Sequence, residues 1–138
     1  MLVIASCSPE KKSAKENIRP IHDTIGFAQY AWQLDSIYNR LQLKDTPNNK
    51  SWKTVISPHD DYKYAGKQYH TSLEGVNANT IILIGVAHRA RNYNLQDKII
   101  FGSFTHWKSP YGKLRVSDLN SKIQNKLTKE SFIVHDSM

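Results

Sequence analysis

Two of the six histidines in this chain of 138 residues each close an apolar run. The first run is Thr54-Val55-Ile56-Ser57-Pro58-His59, and the second is Thr80-Ile81-Ile82-Leu83-Ile84-Gly85-Val86-Ala87-His88. Imidazole is a ligand for iron, copper and zinc, so two rings brought to one place form the start of a metal site. Each histidine has useful neighbours. Asp60, Asp61 and Tyr62 follow His59, where carboxylates and a phenol can orient a ligand or meet a substrate. Arg89 follows His88 and suits an anionic group. The plainer alternative is that Asp60 and Asp61 cap a helix while His59 accepts a loop hydrogen bond.

Positioning the pair is a task for the elements around it. Both apolar runs are rich in β-branched residues and read as buried strands. Ala65 to Gly75 between them reads as a helix. The histidines are 29 positions apart (88 − 59), near the roughly 30 residues of one strand–helix–strand unit. The strands of such a unit run parallel, which places both rings at the carboxyl edge of one sheet, where open α/β sheets bind ligands. A divalent metal commonly takes three protein groups and an open position, and no third ligand is evident. His135, beside Asp136 at the end of a short apolar run, is the nearest candidate neighbour.

Outside this unit, Phe27, Tyr30, Ala31, Leu34, Ile37, Tyr38 and Leu41 recur at helical spacing between Thr24 and Leu43. Lys98 to Phe104 reads as a strand and Lys108 to Gly112 as a turn. Ser117 can cap a final helix carrying Leu119, Ile123 and Leu127, and Phe132 to Val134 opens a last strand. The fold class expected is α/β, a mainly parallel sheet flanked by helices. A strand opened so late leaves a sheet edge unpaired, so the chain reads as the front part of a larger domain. If it stands alone, weak or absent metal binding is expected.

Composition sets outer bounds. A hydrophobic fraction of 39% is ordinary for one globular domain, and no apolar run reaches the roughly 18 residues of a membrane span. The net charge of +7 comes from scattered lysines and arginines that form no nucleic-acid motif. That favours a solvated basic surface over a polyanion binder. No phosphate loop, serine elbow or paired-cysteine motif is present. The single cysteine, Cys7, follows Ile4-Ala5-Ser6 and precedes a polar stretch, much like the lipidation site and tether of a bacterial lipoprotein. The preceding segment is too short for a complete signal core. Residues 1–18 are therefore read as a truncated lipoprotein-like signal and tether. They imply a cell-envelope protein anchored through a lipid on Cys7, or a cytoplasmic one if the match is chance.

From residue 18 onward the chain resembles the Memo family (AmmeMemoRadiSam system protein B). Ile56-Ser57-Pro58-His59-Asp60-Asp61-Tyr62-Lys63-Tyr64-Ala65-Gly66 is similar to the family's Ile-x-Pro-His-x-x-Tyr-x-Tyr-x-Gly segment. Leu83-Ile84-Gly85-Val86-Ala87-His88 resembles its Ile-Leu-Gly-Pro-Ser-His segment. Trp107 to Ser117 resembles its Thr-Pro-Leu-Gly-x-x-x-Val-Asp stretch, and Arg19-Pro20 with Gly26-Phe27-Ala28 its opening. The resemblance implies that residues 19–138 are the N-terminal portion of a Memo-like domain. It also implies a fold related to class III extradiol dioxygenases, with His59 and His88 as metal-site residues. A Glu-His-Ser motif and a late cysteine from a second half would complete the pocket. Two departures stand out: Asp61 replaces a glycine, and Val86-Ala87 replace Pro-Ser.

Two functions follow as expectations. One is a metal-binding protein, holding iron or copper with zinc as a further option, in a redox or dioxygenase-like role for which this fragment alone would be inactive. The other is a non-catalytic module that binds an anionic peptide or small molecule through Arg89, Arg91 and Tyr62.

Overall fold

The computed structural model describes residues 15–44 and 51–136. Cys7 and its signal-like context lie outside the described residues. The described chain is mixed α/β, with three α-helices and two small sheets. In order these are β1 (Ile18–Arg19), α1 (Ala31–Arg40), α2 (Tyr62–Leu73), a 3-10 turn (Ala90–Tyr93), β2 (Ile99–Phe101), β3 (His106–Ser109), β4 (Gly112–Arg115), α3 (Leu119–Gln124) and β5 (Phe132–Val134).

The first sheet has the order β1-β3-β4 and the second the order β2-β5. The pairs β1–β3 and β2–β5 are parallel, while β3–β4 is an antiparallel hairpin turning through Pro110-Tyr111. Sequence periodicity gives the turn of that hairpin but not its strands. Every residue of β4 is exposed, so no apolar alternation marks it, and the backbone ladder and the Lys113–Glu16 ion pair hold it. Where residues 16–18 were expected to belong to a tether, the chain is already fastened. Asn17 accepts from the backbone N–H of Thr105 at 2.8 Å, and Lys113 donates to Glu16.

The expected strand–helix–strand unit needs correcting at its strands. Its helix is present as α2, but residues 54–56 and 81–86 belong to no helix or strand and lie outside both sheets. A strand is completed by a partner's backbone, and β-branched residues supply only the tendency. Nor do the side chains find cover: Ile81, Ile82, Leu83, Ile84 and Val86 are 63–89% exposed, and Ile56 is 94% exposed. The ends of the unit are nevertheless fixed. The Trp52 amide donates to the Gly75 carbonyl at 2.8 Å, and the indole covers Gly75 so closely that a Cβ there would collide with it.

Helix α1 begins later than its apolar spacing suggests, because the chain turns at Gly26 with φ +79°. Gln33 reaches back to accept from the Gln29 and Tyr30 amides, satisfying donors at the helix start. Helix α2 presents Ala65 and Gly66 where Leu41 packs, so small residues allow the close approach. Tyr38 of α1 meets His70 of α2 at 3.0 Å, which makes His70 a packing residue.

Candidate metal centre

His59 lies two residues before Asp61, the N-cap of α2, and His88 two residues before the 3-10 turn. Their Nε2 atoms approach to 2.8 Å, with the rings at 24° to one another and centroids 5.0 Å apart. The chain thus brings the two motif histidines together without a ladder beneath them. Both are exposed. At that distance the Nε2–H of one ring donates to the bare Nε2 of the other, the tautomers deciding which.

The backbone around His59 is clamped from α2. The Tyr69 hydroxyl donates to the Asp60 carbonyl at 2.7 Å and accepts from the Asp60 amide at 2.5 Å. The Asp60 carboxylate turns back to accept from the Asp61 amide at 2.7 Å. Asp61 occupies the N-cap position of α2, but its carboxylate makes no capping bond. It lies over Gly26 instead, where any Cβ would overlap it. The Gly26 carbonyl accepts from the Tyr62 amide at 3.1 Å, so the 25–27 turn and the start of α2 are one unit.

Tyr62 stands between Phe27 and Tyr69, edge-on to each at 5.4 and 6.0 Å. Burial pushes its phenol above the usual 10.0, and the neighbouring Tyr69 phenol adds to the rise. It is therefore a neutral hydroxyl at physiological pH. Ser57, two residues before His59, has a buried hydroxyl with no hydrogen-bond partner. Arg89 and Arg91 are exposed on the turn after His88. His135 packs on Tyr93 at 4.7 Å, while Asp136 bonds to Ser103. Among the described residues, no third His, Cys, Asp or Glu joins the two histidines in a metal-binding group.

Sequence reasoning overlooks Tyr69 and underrates Gly26. Tyr62 and Tyr69 are seven positions apart on a helix, which puts them on one face. That spacing was the available signal.

A family model for Memo-like protein matches residues 28–138. The chain belongs to this Memo-like family. No curated protein and no solved structure matches it. The match covers both histidines, the Tyr69 clamp and all of the elements from α1 to β5.

The donor type can be tested against a metal. Imidazole nitrogen suits iron, copper and zinc alike, and the 2.8 Å between the two Nε2 atoms is a hydrogen-bond separation that selects none of them. In donor type the two histidines fit such an ion as two of its ligands.

Proposed function

We propose that this Memo-like chain uses His59 and His88 as two ligands of a redox-active metal ion, iron or copper, with further groups completing its coordination. The single observation that carries the reading is the approach of the two Nε2 atoms at 2.8 Å. Such an ion supplies one-electron chemistry when bound, and a dioxygenase-like oxidation is the activity class proposed.

The chain's own residues have distinct tasks around it. Tyr69 fixes the backbone next to His59, and Gly26 leaves room for the Asp61 carboxylate. Tyr62, kept protonated, can donate a hydrogen bond to a bound anion.

Titration of the chain with Fe(II) and Cu(II), read by chelator competition, tests this. Weak binding of one ion per chain is expected, with His59→Ala and His88→Ala each weakening it further, about 10-fold or more. Metal affinity unchanged in both variants rejects the reading.

A further inference from the structure

Among the described residues, His88 is not fastened from the upstream side, where its motif lies. Residues 80–86 belong to no helix or strand, and none of their backbone groups is hydrogen-bonded to another described residue. Downstream the backbone is tied step by step. The Ala90 amide donates to the Ala87 carbonyl at 3.0 Å, Asn92 to Arg89 at 2.9 Å and Leu95 to Ala90 at 3.0 Å. Asn94 ends the 3-10 turn in the left-handed region at φ 53°, which asparagine tolerates better than most residues. His88 therefore moves with Ala90–Tyr93 as one hydrogen-bonded unit.

Tyr93 carries that unit to the second sheet. Its ring meets His135 at 4.7 Å between centroids, tilted by 53°. The His135 amide donates to the Phe101 carbonyl at 2.8 Å, continuing the β2–β5 ladder past the end of β5. Because β2 and β5 run parallel, Tyr93 docks at the carboxyl end of the pair although it precedes β2 in sequence. Ligand sites of parallel sheets form at this edge.

We infer that, on the two-histidine reading proposed above, the Tyr93–His135 ring contact positions His88 beside His59. The site then has two arms. Tyr69 of α2 fixes the backbone next to His59, and the β2–β5 pair fixes the turn behind His88. His135 acts through Tyr93 as a positioning residue.

Two measurements on the full 138-residue chain test this. Metal-free histidine side-chain NMR reads the ring-to-ring nuclear Overhauser contact between His59 and His88, whose centroids are 5.0 Å apart. Chelator competition reads Cu(II) affinity. Tyr93→Ala and His135→Ala should each weaken the ring contact and lower Cu(II) affinity about 3- to 10-fold, with helical circular dichroism retained. Tyr93→Phe keeps the ring and should behave as wild type. The double alanine variant should be no worse than either single one, because the same contact is lost once. The ring contact retained in either alanine variant, its loss in Tyr93→Phe, or additive effects in the double variant would each overturn the positioning role. Two alanine variants on separate elements keep the test decisive should one of them fail to fold. The NMR readout needs no metal. If the ring contact responds as expected and the wild-type chain binds no copper, the metal reading fails and the positioning stands. If copper binds equally well to wild type and to both alanine variants, the positioning fails and the metal reading stands.

Discussion

Tyr69 does for His59 what no sequence neighbour can. Its hydroxyl engages both the carbonyl and the amide of Asp60, removing two freedoms from the residue that sets the imidazole's direction. A ligand free to rotate must lose that entropy on binding, and supporting groups of this kind typically govern 10–100-fold in metal affinity. Tyr69→Phe keeps the ring against Tyr62 and loses only the two hydrogen bonds. We expect chelator competition to report an affinity about 10-fold weaker, with the helical signal retained. Equal affinity would mean that the Asp60 backbone is held by something else. At this scale the sequence was informative about types and poor about partners. His59 and His88 were legible because each closes an apolar run. Tyr69 was not, because its contact is to backbone, which carries no sequence signature.

Between the elements, one carboxylate links much of the described structure. Asp136 follows β5 and accepts from the Ser103 amide at 2.6 Å and the Ser103 hydroxyl at 2.5 Å. Asn17, ahead of β1, donates to the same hydroxyl at 2.8 Å. Ser103 thereby joins the β2–β5 sheet to the β1–β3–β4 sheet. The Ser103 hydroxyl, then its amide, hold the Asp136 carboxyl below its usual 3.8. A depressed folded value means stability present above 3.8 and lost as pH falls through the folded value. Acid titration should therefore loosen the sheets below about pH 4, followed by the fluorescence of Trp107 on β3. Asp136→Asn should weaken the wild-type junction at neutral pH and flatten this acid response. An unchanged acid response in the variant would assign it to other carboxylates. The element scale also explains what was legible. Helix α2 and the β2 and β5 strands were readable because local spacing and apolar triplets mark them. The runs at 54–56 and 81–86 were misread as paired strands because composition reports a tendency, whereas pairing is a property of two segments. The β3–β4 hairpin failed the opposite way, with a ladder and no pattern.

Taken whole, the described chain has little interior. Ala28 and Ala65, at 3% and 5% exposure, are its buried hydrophobic residues, and both have small side chains. Large ones such as Trp32, Ile56, Leu83 and Ile84 stand in water. Burying one such side chain is worth roughly 1.5–3 kcal/mol, while ordering each residue costs about 1–2 kcal/mol. A chain that leaves so many uncovered must sit near the balance point, held by ladders, the Ser103 junction and the two-helix contact. Its unfolding should therefore expose little new surface. In urea we expect a broad transition with a slope below the ~1–3 kcal/mol/M of small compact domains. A dye that lights up on apolar surface should bind the native chain at neutral pH, as it does loosely packed states. Carrying Ile84→Lys through the same measurements separates the two sources of dye binding. Loss of much of the dye signal with no change in slope locates the open surface in the 81–86 segment. A steep transition without dye binding would require a packed interior that this arrangement of residues does not contain.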